Sequence, residues 1–260
     1  EKGSDSSSSK AEEGIKASDD GSINKDLTAT ELARLLGNGT NLGNTMEAYG
    51  HKSYSADTDP ESFETLWGQP ITTEEMIKGM KASGFDSLRV PVAWTNAMEY
   101  EKGDYTIKEA YLDRVEKIIN YALDNDMYVI INDHWDGSWW GMFGSSEQSD
   151  VDKAFEMYKS MWTQIANRYK KYSDRLIFEG ANEELGDRLN DTDVCKNSGS
   201  LSKAECYEMT NKINQTFVDT VRATGGNNEQ RFLLIAGYNT DITMTCSDKF
   251  QMPADTAKDK

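Results

Sequence analysis

The chain is poor in the two residue types that most often bind metals. Its 260 residues include two histidines, His51 and His134, and three cysteines, Cys195, Cys206 and Cys246, too scattered to make a zinc ligand set. No metal and no cofactor is expected. Basic residues are scarce too: 28 Lys and Arg stand against 45 Asp and Glu, a formal net charge of −17. That deficit excludes a nucleic-acid binder working through a basic face, because phosphate contacts need Lys and Arg in excess. No apolar run approaches the roughly 20 residues that cross a bilayer, and residues 1–26 lack the apolar core of a secretory signal. The expectation is a soluble chain whose targeting segment has been removed and whose partner is neutral or cationic.

Residues 1–26 contain Ser, Gly and charges of both signs but no aromatic residue, which reads as a flexible linker. A single domain is expected over 27–260. Five apolar runs recur there: GTNLGN (39–44), SLRVPV (87–92), MYVIIN (127–132), RLIFEG (175–180) and RFLLIAG (231–237). They suit strands of a parallel sheet covered on both faces. Between them lie helical patterns. Val151, Phe155, Tyr158, Trp162, Ile165 and Tyr169 mark one apolar face, and Leu112, Val115, Ile119 and Ala122 another. Thr72 with Glu75 and Ser202 with Glu205 fit capping boxes, and TGGNN (224–228) fits a helix stop. Repeated strand and helix implies an α/β fold, either a barrel or an open doubly wound sheet. NLGNTMEAYG, after the first strand, lacks the spacing of a nucleotide fingerprint.

Polar residues help to choose between the two. Asn44, Arg89, His134, Asn182, Glu183 and Asn239 all fall at or just past the C-terminal end of an expected strand. A (β/α) barrel carries its active site on that face, whereas an open sheet gathers ligand groups mainly at one switch point. The barrel is favoured. Asn182-Glu183 would put a carboxylic acid and an amide on this face, which is half of a glycosidase site; taken alone, the same residues suit a polar loop. Trp135, Trp139 and Trp140 crowd the loop after the third strand, with Trp94 after the second, and loop tryptophans suit a stacking platform for sugar rings. Trp162 lies on a helix stripe and reads as core, while Trp67 is undecided. Arg89 inside an apolar strand needs a partner, either a catalytic carboxylate or a structural one. His134 alone fits an ordinary satisfied strand-end residue. The coincidence of Arg, His and Asn-Glu on strands two, three and four is what raises the functional reading.

These stretches resemble glycoside hydrolase family 5, the cellulase family of retaining β-glycosidases with a (β/α)8 barrel. The resembling segments are GTNLGNTMEA (39–48), GFDSLRVPVAW (84–94), residues 111–140, LIFEGANE (176–183) and residues 217–241. The resemblance implies a secreted or cell-surface bacterial endo-β-1,4-glucanase acting on cellulose or related β-glucans. A β-mannanase, a xyloglucanase or a non-catalytic carbohydrate-binding protein are the alternatives. It further implies that Glu183 is the acid/base, that Asn182 binds the sugar 2-hydroxyl, that Arg89 supports the nucleophile and that His134 lines the non-reducing side. Asn44 and Glu47 become sugar-hydroxyl contacts. In an oxidising compartment Cys195 and Cys206 could close one short loop, with Cys246 free.

Three departures stand out. His134 is followed by Trp135 where the family often has a second His, and Glu184 follows Asn182-Glu183 where Pro is common. The family nucleophile, a second Glu on the seventh strand, has no counterpart before Lys260. The chain is therefore expected to carry about the first five β/α units, with a further segment on the order of 100 residues supplying the last three strands and the missing carboxylate.

Overall fold

A computed structural model of the chain describes residues 19–50, 54–136, 139–191 and 199–260. Five parallel strands form one sheet in the order β1-β2-β3-β4-β5: β1 (Gly39–Asn41), β2 (Ser87–Val90), β3 (Tyr128–Asn132), β4 (Leu176–Glu179) and β5 (Leu233–Leu234). Each falls inside one of the five apolar runs. Among the described residues seven α-helices accompany them: α1 (Ala29–Leu35), α2 (Pro60–Glu64), α3 (Glu74–Ala82), α4 (Glu109–Asp124), α5 (Gln148–Arg168), α6 (Lys203–Ala223) and α7 (Ile242–Thr245). One longer helix, α3 to α6 in turn, connects each strand to the next. Sequential order without a reversal is the arrangement of consecutive barrel units and rules out a doubly wound sheet with a switch point.

Alternation along the strands separates two environments. Leu88 and Val90 of β2, Val129 and Ile131 of β3, and Leu176 and Phe178 of β4 pack with the apolar stripes of α4, α5 and α6. The α4 and α5 stripes are as the spacing predicts, and Trp162 is fully buried between Phe178 and Phe217. The opposite face carries Arg89, Ile130 and Ile177 in register, and one step further on Asn132 opposite Glu179. The runs are therefore less uniformly apolar than a strand buried on both faces; β1, β3 and β4 end in the polar residues Asn41, Asn132 and Glu179. At the other end, Leu32 of α1 packs with Ile177 and Phe232.

Local signals hold with two corrections. Ser202 and Glu205 form the capping box of α6, and Gly225 and Gly226 follow its end with positive φ. At α3 the cap is Thr73, whose side chain accepts the Met76 N–H, not Thr72. Thr72 is buried instead, and its N–H donates to Glu64. The domain also begins earlier than residue 27. Asp19 accepts hydrogen bonds from the N–H and hydroxyl of Ser173, the Asp174 N–H donates to the Ser22 carbonyl, and the Asn24 N–H donates to Asp174. Residues 1–18 of the expected linker lie outside the described residues. Cys195 does too; Cys206 is a buried free thiol and Cys246 an exposed one.

Candidate active site

The C-terminal ends of β1, β2 and β4 are joined by a single guanidinium. Arg89 donates from Nε to Glu179 Oε2 at 2.7 Å and from Nη2 to Glu179 Oε1 at 2.6 Å. Its Nη2 also reaches Asn182 Oδ1 at 2.8 Å, and Nη1 reaches Asn41 Oδ1 at 3.1 Å. A planar fork suits this two-point pairing with a carboxylate, which a lysine could not reproduce. Glu179 and Asn41 were not singled out from the sequence, although a charge on β2 called for a partner. Glu179 is one residue from the apolar Phe178 in an alternating strand, and that parity was the available signal.

Asn182 is held at two points: its side-chain oxygen by Arg89, and its backbone N–H by Glu184 Oε2 at 2.8 Å. Glu183 points the other way, its side chain 57% exposed and paired with Arg188 at 3.2 Å. The Arg188 guanidinium lies over the Trp135 ring, 5.0 Å from its centroid. Glu183, Arg188 and half-buried Trp135 thus share one surface. Glu184 is fully buried, and burial pushes its carboxyl up to about 7.

His134 is half-buried at the end of β3. Its Nδ1 lies 3.1 Å from Asn132 Nδ2, and its backbone N–H donates to the Val92 carbonyl. Burial, followed by the charge of Arg89, lowers its pKa to about 4, so the ring is neutral at ordinary pH. A neutral imidazole facing a polar surface can exchange hydrogen bonds with hydroxyls.

The tryptophan expectation needs correction. Trp139 and Trp140 are 0% and 1% exposed, stacked at 4.5 Å and packed with Phe143 and Tyr158. They belong to the core, not to a stacking platform. Their turn, Trp139–Gly144, folds inward because Gly144 lets it approach the Leu189 carbonyl; a Cβ there would sit 1.7 Å from that oxygen. Trp94 is buried as well, its Nε1 donating to the Asn132 carbonyl at 2.8 Å. Trp135 alone of the group remains accessible, together with Trp67, which is 43% exposed and edge-on to Tyr49.

Glu47 is also placed differently. It is buried, with Oε1 accepting the Asn44 N–H and Oε2 the Thr45 N–H, so it clamps its own loop and offers no open contact to a sugar. Asn44 itself is exposed, with a positive φ of 59°. Behind His134, Asp133 and Asp136 are fully buried. Asp136 accepts from the Thr95 N–H and hydroxyl, and burial raises the pKa of both carboxyls. Among the described residues no group of three His, Cys, Asp or Glu side chains is placed to hold a metal ion.

Known proteins resemble the chain over most of its length. A family model described as cellulase (glycosyl hydrolase family 5) matches residues 49–260. A xyloglucan-specific endo-beta-1,4-glucanase of Bacteroides ovatus is 39% identical over 239 residues, covering 91% of this chain and 44% of that protein. Endoglucanase A of Paenibacillus barcinonensis is 37% identical over 238 residues, covering 89% and 54%. A broad-specificity endoglucanase from Ruminococcus champanellensis, solved with bound cellotriose, superposes with a TM-score of 0.74 at 38% identity, over 90% of this chain and 64% of that one. The chain spans about half the length of the curated relatives it matches. With the family model matching most of the sequence, the chain belongs to the cellulase family, glycosyl hydrolase family 5.

Proposed function

We propose that the protein containing this chain is a retaining endo-β-1,4-glucanase, secreted or held at a bacterial cell surface, that cleaves internal bonds of cellulose or related β-glucans. The observation that carries this reading is the Arg89–Asn182 hydrogen bond, which fixes an amide beside Glu183 on the strand-end face. Glu183 protonates the leaving glycosidic oxygen and, once the covalent glycosyl intermediate has formed, takes a proton from the attacking water. Asn182 uses its side-chain amide on the sugar 2-hydroxyl, and His134 contacts the ring on the non-reducing side. Trp135 offers an apolar face for a pyranose. A neutral polymer fits a chain of net charge −17, which would repel an acidic one.

Retention requires a second carboxylate roughly 5 to 5.5 Å from the first. Glu179 is committed to Arg89, Glu47 to its own loop, and Glu184 is buried. None of these three carboxylates is free to act as that second group. Xyloglucan is the second candidate substrate, because the Bacteroides relative is named as specific for it.

The test is a reducing-end assay of the complete protein on soluble cellulose derivatives, xyloglucan and mannan. Glu183→Gln is expected to lower turnover by about 10²- to 10⁴-fold on the preferred polymer. Equal rates for both proteins would remove Glu183 from the mechanism. Polymer binding without new reducing ends would make this a binding module.

A further inference from the structure

The place after Asn182-Glu183, where the family commonly has proline, holds Glu184, whose side chain is fully buried. One oxygen accepts the Asn182 N–H at 2.8 Å, while Oε1 is buried with no hydrogen-bond partner among the described residues. Among the described residues no cation bonds to it. Arg89 is taken up by Glu179, Asn182 and Asn41, and Arg188 by Glu183. An ionised carboxylate so placed would be strongly disfavoured.

We propose that Glu184 is a positioning residue for Asn182: a buried, uncharged carboxylic acid that fixes the Asn182 backbone from behind while Arg89 fixes its side chain in front. The proton sits on Oε1, which leaves Oε2 free to accept. Glu184 thus sets the direction in which the chain leaves β4, and with it the placement of Glu183. The charged and titratable groups around Glu184 are Arg89 from β2, Asp133 after β3, Tyr158 of α5, and Glu183 and Arg188 in its own loop. Burial is the largest influence on it and holds the proton to about pH 7. The consequence for catalysis rests on the glucanase reading; the hydrogen bond itself does not.

The test uses amide NMR spectra of the ¹⁵N-labelled complete protein between pH 5 and 9. The Asn182 amide should shift with a midpoint near 7, and Glu184→Gln should abolish that shift while keeping the amide protected from exchange, because the glutamine carbonyl still accepts. Glu184→Ala should lose the protection; if that variant does not fold, the glutamine variant decides alone. In the complete protein, Glu184→Ala should lower kcat at least tenfold and Glu184→Gln should restore it. An Asn182 titration that persists in Glu184→Gln, or is absent from the parent chain, overturns the proposal. So does an alanine variant with unchanged kcat. A complete protein that hydrolyses nothing would count against the glucanase reading only, since the amide titration needs no turnover.

Discussion

Arg89 and Glu179 meet across two strand positions: β2 and β4 are separated by β3, yet the guanidinium and the carboxylate pair at two points, 2.6 and 2.7 Å apart. Arg89 is level with Ile130 and Ile177, and Glu179 lies two residues beyond Ile177, so the long arginine side chain passes over the β3 strand end to reach it. With Asn41 and Asn182 also bound, this one cation gathers the ends of three strands.

Arg89→Leu should therefore destabilise the chain by about 3 kcal/mol or more, since removing one partner leaves a carboxylate with 8% exposure uncompensated. Arg89→Lys should recover little of this, because an ammonium cannot make the forked contact. Urea denaturation of the three proteins measures it. A loss below about 1 kcal/mol for the leucine variant would show that the pair contributes little.

Trp139→Ala should cost about 3 to 5 kcal/mol, the usual loss for a large aromatic removed from a packed core. Trp135→Ala should leave the unfolding midpoint nearly unchanged and weaken binding of cello-oligosaccharides. Calorimetric melting alongside titration with cellotriose separates the two. Equal melting temperatures for both variants would contradict the burial difference.

Gly186 has φ of 113°, and a Cβ on it would lie 2.1 Å from Asn239 Oδ1, the atom that accepts the Asp187 N–H. Gly186→Ala should cost about 1 to 3 kcal/mol through backbone strain and displacement of this link between the loops after β4 and β5. An alanine variant as stable as the parent would mean that the turn relaxes freely.

His134 should stay neutral down to about pH 4, against about 6.5 for an unhindered imidazole. The unfolded chain gains this proton first, so the contribution of His134 to stability is complete above pH 6.5 and is lost as pH falls toward 4. Glu184 acts in the opposite sense: its contribution is complete below its ordinary value and is lost as pH rises through about 7. The imidazole proton resonances test the first; with two histidines in the chain, His134→Asn identifies the signal. A midpoint near 6.5 for the assigned ring would refute it.

Much of this protein follows from the order of its residues. Five apolar runs placed the strands, the spacing from Val151 to Tyr169 placed α5, and the polar residues at the run ends indicated the face that carries the site. Those are local signals, because strand and helix periods are properties of neighbouring residues. Which polar groups meet was decided by the tertiary structure. Glu179 reads as one more residue of an apolar strand until register sets it beside Arg89, 90 positions earlier. Trp139 and Trp140 read as loop residues, and become core because Gly144 lets their turn close against Leu189. Adjacent Glu183 and Glu184 are chemically identical in the sequence; one is half-exposed and ion-paired, the other buried, its carboxyl pushed up to about 7. Burial and partnership between distant residues arise only when the strands are laid side by side, and desolvation then makes identical side chains different acids.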